Sequence, residues 1–273
     1  MKLAISNIAW DSSLREAVYT AMAETGFAGL EYAPGLLFKN EADPFAPDET
    51  TLDRVRSQLD NHGLQACSMQ SLLYGCAEAA LFGPGAERER LVSQIRKAID
   101  LAARMGTTNL VFGSPRNRLI PDNMDQNTAW DEGVTAFRLL GEHAHARGVR
   151  VAVEPNPRAY GANFLTTVDE AASFVSDVDR PGISLNFDIG AVLMNGQRDQ
   201  LEDLFVKHLP LISHVHLSEP DLQPAPSDID LARRAKALCG RPDYDGWLSI
   251  EMRTPQSDPL ETIRGCLTRL AEA

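Results

Sequence analysis

Several features common in chains of 273 residues are missing here, and each absence narrows the class of protein. No run approaches the ~20 apolar residues of a membrane-spanning helix. The opening MKLAISNIAWDSS breaks its short apolar stretch at Ser6 and Asn7, which does not fit a secretory leader. A cytoplasmic protein with no membrane partner is the expectation. Cysteine is scarce. Cys67, Cys76, Cys239 and Cys266 stand apart with no C-x-x-C pair, as expected of reduced, mostly buried thiols. Positive charge is also short: 26 basic residues against 38 acidic ones give a formal net charge of −12. Such a field repels phosphate backbones and argues against nucleic acid as a partner. No Ser/Gly-rich linker or composition shift divides the chain, so residues 1–273 are expected to form one domain.

What is present is a rhythm. Short β-branched or aliphatic runs alternate with segments of helical period. The strands are predicted at Leu3–Ile8, Gly29–Tyr32, Gln65–Gln70, Asn109–Gly113, Arg150–Glu154, Gly182–Asp188, Ile212–Leu217 and Trp247–Met252. Between them, Leu91, Ile95, Ala98, Ala102 and Met105 recur at helical spacing, as do Val134, Phe137, Leu140 and Ala144. Gly26, Gly63, Gly106 and Gly148 each follow a helical segment and precede a strand, as left-handed C-caps do. Strict alternation implies a parallel sheet. Eight units without an antiparallel strand favour a single (β/α)8 TIM barrel over an open sheet. The first βα turn also lacks the glycine fingerprint of a dinucleotide-binding sheet.

In such a barrel the active site lies at the C-terminal ends of the strands. Strand five ends in Glu154, strand six in Asp188, strand seven in His216 and strand eight in Glu251, at spacings of 34, 28 and 35 residues. Each is a polar residue closing an apolar run, and a barrel makes them converge on one side of its mouth. Taken singly, Asp188 has the alternative of capping the next helix and Glu251 that of pairing with Arg253. Three crowded carboxylates repel one another unless some are protonated or a cation compensates them. Oxygen donors with one imidazole suit Mn²⁺, Mg²⁺ or Co²⁺ better than Zn²⁺ in a thiolate-rich site. The H-x-H at 214–216 is read as two side chains on opposite faces. His216, nearer the strand end, is the expected ligand, and His214 belongs in the wall. His62, His143, His145 and His208 fall in helical segments and read as surface or helix-end residues.

The set E-P-N at 154–156, F-D at 187–188, H-V-H at 214–216 and S-I-E at 249–251 resembles the xylose isomerase-like TIM-barrel superfamily, in order along the whole chain. That superfamily includes ketose 3-epimerases, hydroxypyruvate isomerase, dehydroshikimate dehydratases and endonuclease IV. The resemblance implies one divalent ion, Mn²⁺ or similar, held by Glu154, Asp188, His216 and Glu251. It also implies that Glu154 and Glu251 move a proton on and off the carbon beside a carbonyl. Three positions depart from the ketose 3-epimerase pattern. Tyr160 replaces an acidic residue, Ala191 a histidine and Leu222 an arginine, and those are the residues that grip the keto-sugar in that subfamily. The same metal chemistry on another substrate is therefore expected.

Other groups expected at the mouth are Glu31, Gln70, Ser114, Arg116, Asn156, Tyr160 and Arg253, as substrate-binding residues, with Asn163 after strand five. Arg116 and Arg118 put two guanidiniums beside a turn, suited to a phosphate or carboxylate. Trp10 and Trp130 either stack on a sugar face or pack. The expected function is a metal-dependent isomerase or epimerase of a sugar, sugar phosphate or keto-acid, with a small-molecule substrate. A homodimer is expected by analogy. The competing readings are a metal-dependent dehydratase of a cyclic polyol or shikimate-type substrate and a non-catalytic metabolite-binding barrel. An endonuclease IV-like activity is disfavoured by the charge and by too few histidines at strand ends.

Overall fold

The computed structural model describes residues 1–273. The apolar runs form eight parallel strands: β1 (Lys2–Ser6), β2 (Gly29–Tyr32), β3 (Gln65–Met69), β4 (Asn109–Phe112), β5 (Arg150–Val153), β6 (Ile183–Asp188), β7 (Ile212–Ser218) and β8 (Trp247–Glu251). They pair in sequence order and β1 closes on β8, a (β/α)8 barrel. The expected strands hold to within two residues at either end. β1 stops early because Asn7–Ala9 coils into a 3-10 turn capped by Ser6, and Glu154 lies one residue beyond β5.

The two amphipathic patterns become helices Gly85–Met105 and Gln126–Ala146. Leu91, Ile95, Ala98, Ala102 and Met105 are buried from the first, and Val134, Phe137, Leu140 and Ala144 from the second. Gly26, Gly63, Gly106 and Gly148 all take positive φ, so each helix turns back to the barrel through a conformation that costs glycine little. No helix is long and apolar enough to cross a membrane. All four cysteines are free, and three of them are buried.

The lumen is polar at both ends. At the bottom, a Cβ on Gly29 would lie 2.5 Å from the Trp247 ring, so glycine makes room for the indole that plugs the barrel. Above it Asn109 Nδ2 donates to Ser68 Oγ at 3.1 Å and Ser213 Oγ donates to Asn109 Oδ1 at 2.8 Å. Ser213 Oγ also meets Ser184 Oγ at 2.8 Å. β4 and β7 are not neighbours in the sheet, so the Ser213–Asn109 bond crosses the lumen. Two register shifts, between Leu30 and Glu31 and between Leu185 and Asn186, come just before residues that point to the upper tier. Such irregularities re-aim side chains near barrel rims.

Candidate active site

The upper tier is where the strand-end residues meet. His216 Nδ1 lies 2.8 Å from Glu154 Oε1 and 3.3 Å from Glu251 Oε2. The ligand-type atoms of Glu154, His216 and Glu251 all fall within 4.8 Å of one another. Asp188 stands outside that cluster. Its Oδ1 accepts from the Ser218 hydroxyl at 2.6 Å and from the Gly190 N–H at 3.0 Å, so it does cap the helix that follows β6. It lines the same cavity as Glu154 and Glu251. Glu251 makes no ion pair with Arg253; its charged neighbour is His216.

The electrostatics are those of crowded, buried anions. Burial, then the charges of Glu154 and Glu251, pushes the Asp188 carboxyl up to about 8. Burial also raises Glu251, against the opposing pull of His216. His216 loses hydration on burial, yet Glu31, Glu251 and Glu154 around it favour its cation and hold it well above the ordinary range. Its Nδ1 is fully buried and has no well-aligned hydrogen-bond partner. An imidazole nitrogen facing two carboxylates, with a third alongside, is a donor set that fits a hard or borderline divalent cation once the cation displaces the bound protons.

Glu154 is the most supported of the set. Asn186 Nδ2 donates to its Oε1 at 2.6 Å and Asn156 Nδ2 to its Oε2 at 3.4 Å. Gly113 belongs to the same arrangement, because a Cβ there would lie 2.6 Å from Glu154 Oε2. Asn186 and Ser218 are functional neighbours that the strand-end pattern does not mark. The two-residue period of a strand points to both, since Asn186 precedes Asp188 by two and Ser218 follows His216 by two.

The same period corrects the expectation for H-x-H. Residues i and i+2 share a face, and both imidazoles are fully buried in the lumen with centroids 5.3 Å apart. Their common partner is Glu31, which lies 3.0 Å from His214 Nε2 and 3.1 Å from His216 Nε2. Glu31 is not at the mouth. It is the third of four residues in β2, wholly buried, and does not line the cavity.

The other expected mouth residues do line one cavity of ≈ 490 Å³: Gln70, Ser114, Arg116, Asn156, Tyr160 and Arg253, with Glu154, Asp188 and Glu251 at its floor. Arg118 does not join Arg116. It is buried under Phe112, Nη2 donates to the Glu154 carbonyl at 2.7 Å, and burial lowers its guanidinium to about 10. Asn163 ties to the backbone of Ile120 instead of the cavity. Trp130 packs on Phe164 and Phe174 and donates to Asp177, and buried Trp10 packs edge-on against Tyr19. His143, His145 and His208 fall in helices and His62 in the turn after one, as expected.

The three replaced positions separate. Ala191 is buried in the short helix Ile189–Met194, whereas Tyr160 and Leu222 line the cavity. The Tyr160 hydroxyl accepts from the Asp221 N–H at 3.0 Å, and the Arg253 N–H donates to the Leu222 carbonyl at 2.9 Å. Loops after β5, β7 and β8 are thereby tied above the carboxylates. A larger groove of ≈ 630 Å³ lies outside the barrel between helices Gly85–Met105 and Gln126–Ala146, away from every strand end.

A closed eight-stranded barrel with carboxylates and an imidazole at its C-terminal mouth defines the class, and comparison with known proteins supplies the family. The chain belongs to the xylose isomerase-like TIM barrel family, whose profile matches residues 19–270. It is 26% identical over 254 residues to a protein named as a hydroxypyruvate isomerase from Streptomyces coelicolor, covering 88% of this chain and 85% of that one. A ketose 3-epimerase of Arthrobacter globiformis is 22% identical over 260 residues, covering 92% and 83%. The crystal structure of a 3-keto-D-glucoside 4-epimerase from E. coli superposes over 100% of both chains with a TM-score of 0.78 at 19% identity, a likeness of fold.

Proposed function

We propose that the chain is a metal-dependent isomerase or epimerase acting on a sugar, sugar phosphate or keto-acid. The observation that carries this reading is the convergence of Glu154, His216 and Glu251 within 4.8 Å, with Asp188 in the same cavity. These four residues would hold one divalent ion, Mn²⁺ in the first instance. When bound, the ion polarises a carbonyl and its neighbouring hydroxyl and lowers the pKa of the C–H between them. The activities named for the two relatives above support the isomerase class.

In this reading the chain's own groups do the proton work. Glu154, oriented by Asn186 and Asn156, accepts the proton from carbon. Glu251, whose burial favours its protonated form, returns one. Reversal of the reaction exchanges the two roles. Gln70, Tyr160 and Asn156 offer hydrogen bonds to substrate hydroxyls around the cavity. Arg116 and Arg253 at its rim favour a substrate with a carboxylate or phosphate. The four unpaired thiols suit a reducing cytoplasm. A solvent-deuterium exchange screen with Mn²⁺ across ketoses, sugar phosphates and keto-acids tests the proposal. Label entering a C–H position is expected for one substrate class, and full turnover by an EDTA-stripped preparation would overturn the mechanism.

A further inference from the structure

Glu31 is a wholly buried carboxylate, and a buried anion is costly unless donors surround it. The polar groups around it are all side chains, and Gln70 and His216 hydrogen-bond it. Gln70 Nε2 donates to Oε1 at 3.0 Å and is itself fixed by Ser6 Oγ at 2.7 Å. The Nε2 atoms of His214 and His216 lie 3.0 and 3.1 Å from Oε2. β2 and β7 are not adjacent in the barrel, so these contacts span the lumen and no sheet pairing brings them about. A carboxylate oxygen accepts and cannot donate, so His216 must carry its proton on Nε2 to bond it. With Nε2 turned to Glu31, Nδ1 is the nitrogen turned to the opposite carboxylates, 2.8 Å from Glu154 Oε1, and a cation seated there takes the place of its proton.

We infer that Glu31 is a positioning residue that selects Nδ1 of His216 as the metal-ligating atom and holds the ring against rotation, with His214 packed against the same carboxylate oxygen. This rests on the metal reading above. It extends that reading across the lumen, to a residue on the far strand that does not line the cavity. Carboxylates that fix a ligating imidazole in this way also strengthen it as a donor, and their loss weakens metal affinity by about 10- to 100-fold.

The test compares wild type with Glu31→Gln, titrating metal-free protein with Mn²⁺ and recording ¹⁵N-histidine spectra of the Mg²⁺-loaded protein. The expected results are one Mn²⁺ per wild-type chain, a Kd weakened about 10- to 100-fold in Glu31→Gln, and a downfield His216 Nε2–H signal that moves upfield in the variant. Wild-type protein that takes up no Mn²⁺ removes the metal reading and this inference with it. Wild-type binding with an unaffected Glu31→Gln removes this inference alone. Two Mn²⁺ per chain would put a second ion among Glu31, His214 and His216 and overturn the hydrogen-bonded role. If Glu31→Gln does not fold, the wild-type spectrum decides: a proton on Nδ1 of His216 contradicts the inference, and one on Nε2 supports it.

Discussion

The two ends of the barrel lumen are both polar, yet they solve the problem of buried polarity differently. At the bottom, Ser68, Asn109, Ser184 and Ser213 are neutral groups that satisfy one another, and Trp247 seals them over Gly29. At the mouth, Glu154 and Glu251 crowd around an imidazole whose Nδ1 is left without a well-aligned partner, and Asp188 lines the same cavity. A closed neutral network stabilises and specifies a core, whereas crowded buried charges with shifted pKa values mark a candidate functional site. Substitutions at the mouth should therefore change chemistry more than stability, and substitutions at the bottom the reverse.

The largest effect is expected from Glu154→Gln and Glu251→Gln. Each should lower turnover by about 10²- to 10⁴-fold, the usual weight of one proton-transfer group, while thermal melts of the metal-free proteins stay at or above wild type. Next comes Asp188→Asn. Its main effect should be on metal, a loss of Mn²⁺ affinity beyond the ~10- to 100-fold typical of an outer partner, read by calorimetric titration. At the bottom, Trp247→Ala should cost about 3 kcal/mol of stability, the low end for truncating an aromatic, because the ring is partly exposed. Gly29→Ala should cost about 1–3 kcal/mol by overpacking against that ring. Neither should alter Mn²⁺ affinity measured below its melting range, and a shift there would break the division between the two ends.

The most graded effect is that of pH on the mouth. With Asp188 raised to about 8 in the metal-free protein, a cation must displace its proton. Affinity for Mn²⁺ should then fall as pH drops below about 8, by about tenfold per unit for each proton released, from Asp188 and from His216 Nδ1. A flat profile between pH 6 and 8 would show that Asp188 is already ionised there without metal.

The two ends were also unequally legible in the sequence. The eight strands could be read because each is an apolar run stopped by glycine or a polar residue, and the mouth residues stood out because they break those runs. Glu31 and His214 look like a strand-end acid and a wall histidine until the barrel closes, because their contact joins β2 to β7 across the lumen. The two-residue period within β7 places His214, His216 and Ser218 on one face, against the expectation of opposite faces for the two histidines. Arg118 reads in the sequence as a loop arginine at the mouth. Its burial depends on the Glu154 carbonyl and Phe112, which no local pattern announces.

Titration of EDTA-stripped wild-type protein with Mn²⁺, alongside Asp188→Asn and Trp247→Ala, tests the central claim most directly. The account predicts one tight equivalent in wild type and in Trp247→Ala, and markedly weaker binding in Asp188→Asn. Absence of binding in wild type, or equal affinity in all three proteins, would contradict it.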